Sequence, residues 1–465
     1  MEERTPETSL PKQQLSLIDA IAIIVGIVIG AGIFRTPSLV AANTANDTQF
    51  LLAWILGGMV SLIGALCYAE LTTAFPNAGG DYHFLRKAYG KRASFIFAWA
   101  RMSVIQTGSI AVLAFIFGDY FTQIYSLGDF SSVIYAALVV IIMTAINIAG
   151  VKMGTGTQKL FTIAEVSGVM IIVAAGLFFA PAPVETLNAA PATASAAGSA
   201  GSFIGLAMVF VLLTFGGWNE AAYISAELKS GRNRMVKALI ISLVIITLVY
   251  LLINIAFLKA LGHQAMAQSD AVGVDLMRIV WGPTGVWLIS VLVAISALTS
   301  VNATIFTGAR TNYALGKDYK MFSMLGKWNS QASGPVNAFI VQALISLALI
   351  SLGLVTRSGF ETIIEYTAPV FWFFFLLVGI SLFVLRRKEP NAVRPFRVPL
   401  YPLTPLIFCL SSAYLLYSSL VYTGIGALVG IVVLLLGVVV HVVFQRSEAI
   451  PLKQKDKVIM NEFKS

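Results

Sequence analysis

The chain has 465 residues, of which 58% are hydrophobic and 11% charged, with a mean hydropathy of +0.84 and a net charge of +9. A soluble domain cannot hide that much apolar surface, so lipid must be the solvent for most of it. Strand-like alternation is absent, which excludes a β-barrel.

A membrane-crossing helix needs about 20 predominantly apolar residues. Twelve stretches qualify, at 17–42, 50–75, 93–120, 131–149, 158–180, 201–228, 235–261, 282–312, 336–355, 360–385, 401–422 and 424–445. Placing both termini inside puts 26 of the 31 basic residues in the two tails and the even-numbered connections. Basic residues collect on the cytoplasmic side of membrane proteins, so the positive charge reports orientation and predicts no nucleic-acid partner. The expected location is the plasma (inner) membrane, multi-pass, with both termini cytoplasmic. The opening MEERTPETSLPKQQ is polar, and no A-x-A-like site follows the first apolar stretch, so no cleavage is expected. Cys67 and Cys409 both fall within spans and read as small core residues, and His83, His263 and His441 are scattered. Neither a disulfide nor a metal site is expected.

The order of segments suggests a duplication. A tail at 1–16 precedes five spans at 17–180, and an Ala/Pro/Ser-rich stretch, APAPVETLNAAPATASAAGSAGS, marks an external loop at 181–200. Five more spans occupy 201–385, followed by a basic linker at 386–400, two further spans at 401–445 and a tail at 446–465. An odd number of helices per half turns the second half upside down. The expected fold is therefore an all-α polytopic membrane protein with twelve transmembrane helices, as a 5+5 inverted repeat plus two C-terminal helices.

The first span of each half is interrupted by glycines, in GIVIGAGIFRTP at 26–37 and in LLTFGGWNE at 212–220. Paired Gly-interrupted spans at corresponding positions point to a transporter binding site. Close helix packing accounts for the Gly26 and Gly30 spacing, but not for Gly30–Ala31–Gly32 followed by Pro37, nor for the recurrence at Gly216–Gly217. A helix unwound at membrane depth must line a cavity or meet a ligand. The N–H groups of Ala31 and Gly32 would begin a half-helix, whose positive end suits a carboxylate. The carbonyls near Val28, Leu213, Thr214 and Gly216 would end half-helices and suit an ammonium or a sodium ion. Donors at one break and acceptors at the other match the two ends of an α-amino acid.

GAGIFRTP resembles the first-helix signature of the amino acid–polyamine–organocation superfamily, and FGGWNEAAYISAELK is similar to the sixth-helix pattern of its L-type amino acid transporter branch. YAELTTAFPNAGGDYHFLRKAYG, VNATIFTGARTNYALGKD and the Arg/Pro-rich linker extend the resemblance to about residues 15–445. It implies the leucine-transporter (LeuT) fold, with helices 1 and 6 broken, and alternating access around a midplane site. Carried onto this chain, the substrate carboxylate would meet Ala31 and Gly32 beside Gly30, and the ammonium would meet carbonyls of Val28, Leu213 and Gly216. Trp218 and Asn219 would stand close by. Leu213 occupies a position where the family often has an aromatic gate.

Charged groups within spans are costly and usually functional. Glu165 lies mid-span in LFTIAEVSGVMIIVAAG, where many L-type relatives carry a lysine thought to stand in for sodium. An acid there would carry a proton or bind a cation directly, unless it is tied to Lys159 or Arg101. Thr299 and Ser300 align with the hydroxyl pair that holds sodium in sodium-coupled members of the fold, and carbonyls near Gly26 and Ile29 would complete such a site. The alternative is that both hydroxyls bond back to the preceding turn. No cofactor is expected beyond a Na+ or H+ coupling ion. Glu70 and Glu227 read as intracellular network residues, Glu220 as facing the permeation path, and Arg35 as a gate at the outer entrance or a snorkelling cation.

The leading expectation is a secondary transporter of neutral L-amino acids, working by cation symport or exchange. No P-loop supplies ATP, and scattered histidines offer no enzyme centre. An ion channel would need a filter motif, and a sensor would need a partner because the tails are short. A cationic amino acid or polyamine is the alternative substrate, with Glu165 or Glu220 as counter-ion. The sequence names no partner subunit.

Overall fold

The computed structural model describes residues 16–77, 79–149, 155–181, 200–224, 233–329, 334–354, 359–423 and 427–443. Among them the protein is helical throughout, with one isolated bridge between Asn329 and Gly334 and no strand. The expected external loop, both tails and Glu227 lie outside the described residues, as does the side chain of Lys159.

Nine helices among the described residues are long and apolar enough to cross a membrane, and three shorter apolar helices accompany them. In chain order, α1 is Leu17–Val28 and α2 is Thr36–Ala42, the two pieces of the first expected span. Ser16 caps α1 reciprocally with Asp19, satisfying N–H groups that a helix start leaves open. Pro37 sits at the start of α2, where its missing N–H costs nothing. α3 (Asp47–Ala74) begins at an Asn46 cap, and a short amphipathic α4 (Gly80–Tyr89) connects it to α5 (Lys91–Thr122). A π-turn at Arg101–Ile105 interrupts α5. α6 is Ser131–Ile148, and α7 is Thr155–Ala174, continued by a π-turn to Phe179.

The second half begins with α8 (Ala200–Thr214), then a turn, then the short α9 (Ala221–Ile224). α10 (Asn233–Leu261) and α11 (His263–Ala267) follow. α12 (Val272–Asp318) is two helices merged across Gly282, whose φ of 60° and ψ of −143° are not helical. The expected span at 282–312 starts at that bend, and the preceding helical piece was not foreseen. The remaining helices are α13 (Val336–Ser351), α14 (Gly359–Lys388), α15 (Leu403–Thr423) and α16 (Ala427–Val443).

Packing follows the economics of lipid. One contiguous cluster of buried apolar residues runs through the molecule, while Ile134, Leu138, Ile141 and Ile142 on α6 and Leu435, Leu436, Val439 and Val443 on α16 stand exposed. Exposed apolar faces of that extent suit a hydrocarbon solvent. At one end of α3 the carboxylate of Glu70, 2% exposed, is clamped by Arg386 Nε and Nη2 at 2.7 and 2.6 Å, by Arg394 Nε at 3.5 Å and by the Val398 N–H at 2.7 Å. This clamp ties the linker after α14 to α3. Cys67 and Cys409 are both buried and free.

Candidate functional site

Both glycine-rich interruptions are genuine breaks, and they differ in kind. After Val28 the chain leaves the helix at Ile29, passes through an extended Gly30 (φ −111°, ψ −167°), and makes a single 3₁₀ turn at Ala31–Phe34. The N–H groups of Ala31 and Gly32 open that turn, and no side chain caps it. After Thr214 the second break runs through Gly216 and Gly217 to a 3₁₀ turn at Trp218–Glu220. Gly217 adopts φ +109°, a left-handed conformation that other L residues adopt only at a cost.

The breaks face each other. A Cβ on Gly217 would lie 2.8 Å from Ile27 Cγ2 and 3.4 Å from the Ile27 carbonyl oxygen, and one on Gly32 would lie 3.8 Å from the Thr214 methyl. A Cβ on Gly30 would lie 3.2 Å from Ser300 Oγ, so the α12 hydroxyl borders the first break. The residues brought together are therefore Ile27, Val28, Gly30, Gly32, Thr214, Gly217 and Ser300.

Sequence reasoning missed Tyr250. Its hydroxyl, from α10, donates to the Val28 carbonyl at 2.6 Å and also contacts the Thr214 carbonyl at 3.1 Å. A single phenol thus joins the ends of the two half-helices. The ring is fully buried between Trp54 and Phe215, both edge-on or nearly so. A tyrosine in the apolar run LVYLLIN shows no partner in sequence, because the carbonyls it serves become available only when two other helices stop.

This corrects one expectation. Val28 and Leu213 were read as free acceptors, but the Val28 carbonyl accepts from Tyr250 and from the Gly30 N–H at 2.8 Å, and the Leu213 carbonyl accepts from the Gly216 N–H at 3.0 Å. The physical reason is that buried carbonyls rarely go unpaired, and the turn itself supplies the nearest donors. An ammonium would have to share or displace these bonds.

Other residues singled out in the sequence lie as follows. The Trp218 indole packs among Tyr68, Phe375 and Phe408 and against Gly64, into the contact between α3, α14 and α15. Asn219 is buried beside α4. Thr299 donates back to the Ile295 carbonyl at 2.9 Å, and Thr214 to Phe210 at 2.9 Å, so both hydroxyls follow the back-bonding pattern. Gly26 lies so close to Thr162 of α7 that a Cβ would meet its hydroxyl at 2.1 Å. Glu165 on α7 is buried, and neither of its oxygens accepts a hydrogen bond among the described residues; Ser296 of α12 is the polar side chain facing it, and Tyr250 feels its charge. Arg101 is not its partner, since Arg101 Nη2 donates to both oxygens of Glu220 at 3.0 and 3.2 Å.

At the opposite end of the first break, Arg35 is enclosed. Its guanidinium bonds the Asp270 carbonyl, lies 3.5 and 3.8 Å from the carboxylates of Asp270 and Glu361, and covers the Phe360 ring at 5.9 Å. The buried guanidinium meets the exposed Asp270 and the partly exposed Glu361, an ionic contact between the first broken span, the loop before α12 and the start of α14.

Among the described residues no group of three or more histidine, cysteine or acidic side chains is arranged to hold a metal. What the geometry does present, where two interrupted helices meet, is a turn without a side-chain cap beside the carbonyl ends joined by Tyr250, the paired interruption that points to a membrane carrier. The comparisons agree with that class. The family model described as amino acid permease matches residues 15–444, and the chain belongs to this family, within the amino acid–polyamine–organocation superfamily. It is 30% identical to the b(0,+)-type amino acid transporter 1 of Mus musculus over 420 residues, 89% of this chain and 84% of that protein. It is also 30% identical to the large neutral amino acids transporter small subunit 2 of Mus musculus over 441 residues, 92% of this chain and 80% of that protein. The human form of the latter is 29% identical over 435 residues.

Proposed function

We propose that this chain is a secondary transporter of neutral L-amino acids, resident in the plasma (inner) membrane with both termini cytoplasmic. The observation that carries the reading is the junction at Tyr250, where the ends of two broken helices meet and the uncapped N–H groups of Ala31 and Gly32 border the same space. The nine long and three shorter apolar helices support a twelve-span, LeuT-like 5+5 architecture with two added C-terminal spans, divided as the sequence suggests. Alternating access then consists of opening the Arg35 contact on one face and a second contact on the other.

A neutral substrate fits better than a cationic one. Glu220, the acid next to the second break, is already neutralised by Arg101 and is not free to balance a basic side chain. Glu165, with the neighbouring Ser296 and the Ser300–Gly30 contact, is the proposed locus for a coupling cation, Na+ or H+, with Gly26, Ile29 and Thr299 contributing oxygens. The words "small subunit" belong to a relative's name; any partner chain here would be held without a disulfide, since both cysteines are buried within spans.

The test is uptake of a radiolabelled neutral amino acid panel into proteoliposomes, with an imposed sodium gradient, an imposed proton gradient, or unlabelled amino acid inside. Accumulation under one gradient names the cation. Flux only against internal amino acid makes the protein an exchanger and removes the coupling role of Glu165. No saturable flux of any neutral amino acid refutes the reading.

A further inference from the structure

Arg101 has a second carboxylate beside it. Asp81, in the first turn of α4, is 4% exposed, and its Oδ1 has no hydrogen-bond partner among the described residues. We propose that Asp81, Arg101 and Glu220 form a proton-responsive inner gate, in which one guanidinium is contested by two carboxylates and substrate release depends on which of them holds it. The proposal rests on the transport reading above and adds to it a titrating group that is separate from Glu165.

Position makes this a gate. Arg101 belongs to α5 at the start of its π-turn, a kind of bulge that frequently marks functional sites. The widened turn is braced by Tyr366 of α14, whose hydroxyl donates to the Ser103 carbonyl at 3.0 Å. Glu220 closes the 3₁₀ turn of the second break, so the Arg101–Glu220 pair fastens the moving end of the broken helix to α5. The Glu220 side chain keeps 26% of its exposure while that of Arg101 keeps 5%, so the pair stands at the edge of a wet space with the cation inside. Asp81 approaches from α4, which carries basic residues expected on the cytoplasmic face.

The chemistry makes it proton-responsive. Burial pushes the Asp81 carboxyl up to about 7; the Arg101 charge opposes the rise, Glu220 adds to it, and Tyr68 and Asn219 hydrogen-bond the charged form. Those four residues, from α3, α5 and the second break, are the polar groups facing it. The other charged residues of α4 are engaged elsewhere, Arg86 with Asp318 and Lys87 with Glu389, just past the end of α14, where Arg386 is held by Glu70. His83, two residues on, is pushed down from its usual value by burial and by Lys87 and Arg86. When Asp81 is protonated, it no longer competes with Glu220 for the guanidinium and the gate is held. When it ionises, it draws Arg101 away and repels Glu220, and the gate loosens. Substrate release should therefore speed up as pH rises through about 7.

The experiment is homoexchange of a neutral amino acid in proteoliposomes at the same pH on both sides, so that no proton gradient exists. The wild-type rate is expected to rise about tenfold between pH 6 and pH 8.5, the factor carried by one charge-assisted hydrogen bond. Asp81→Asn should hold the rate at its acid value throughout. Glu220→Gln should hold the rate at its alkaline value throughout, because it removes the carboxylate that fastens Arg101 to the second break. His83→Gln should leave the profile where it is. A flat wild-type profile with exchange proceeding overturns the gate, as does an Asp81→Asn profile that matches wild type. Should Asp81→Asn fail to fold, a Glu220→Gln profile that still rises with pH as wild type does overturns it equally. Absence of exchange at every pH refutes the transport reading instead.

Discussion

Removing one oxygen atom tests the junction. Tyr250→Phe keeps the buried ring against Trp54 and Phe215 and deletes only the hydroxyl that joins Val28 to Thr214. The Val28 carbonyl retains its bond from the Gly30 N–H, so it is not orphaned. The Thr214 carbonyl loses its Tyr250 contact in buried surroundings. One buried acceptor left unsatisfied costs about 1–3 kcal/mol, and with no cavity opened the expected loss of stability is about 1–2 kcal/mol. For a protein of this size that is a drop of a few degrees in unfolding temperature. The larger signature should be in binding. If the hydroxyl holds the two half-helices at the spacing an amino acid requires, freeing them weakens the site by a comparable free energy, about tenfold in apparent affinity. Unfolding followed by intrinsic fluorescence in detergent, with and without a neutral amino acid, reads both quantities. An unfolding temperature and an amino-acid-induced shift both equal to wild type would refute the idea that this phenol organises the site.

Three further expectations follow from named contacts. Gly217→Ala forces a side chain into a left-handed conformation, at about 1–2 kcal/mol, and drives its Cβ to 2.8 Å from Ile27 Cγ2, so reduced yield and a lower unfolding temperature are expected, with Gly32→Ala as the milder comparison because its Cβ finds 3.8 Å of room. Glu70→Ala strands Arg386 and Arg394 around a buried vacancy, and losing one partner of a buried ion pair costs about 3–5 kcal/mol; thermal unfolding of Glu70→Gln against Glu70→Ala measures how much of this is charge. Glu165→Gln keeps the shape of the side chain and removes its charge, so uptake under an imposed gradient should lose its dependence on the coupling ion, and a gradient response identical to wild type would make Glu165 structural.

Much of this architecture is legible along the chain because its causes are local. Apolar length marks the spans, and the glycine pairs at Gly30–Gly32 and Gly216–Gly217 mark both breaks, since a helix must weaken where it ends. What escaped the sequence depends on which helices become neighbours. Tyr250 looks like any aromatic residue in an apolar helix until two carbonyls from other helices arrive at its hydroxyl. Asp81 carries no mark in sequence that sets it apart from a solvated acid, and only the packing of α4 buries it near Arg101. That the Val28 and Leu213 carbonyls already hold partners escaped for the converse reason, since the reading counted the bonds a helix end loses and not those a tight turn makes.

The two breaks also differ in what mutation can do to them. Gly30 is extended, in a region open to every residue, and is restricted only by the end of the Ser300 side chain. Gly217 is restricted by its own backbone. Every single-base change in a glycine codon that replaces the residue introduces a side chain, so the second break has no neighbouring alternative in the genetic code, whereas Gly30 in the first can drift through alanine or serine. The two halves of a duplicated carrier therefore diverge under unequal licence: one hinge is free to be retuned, and the other is held in place.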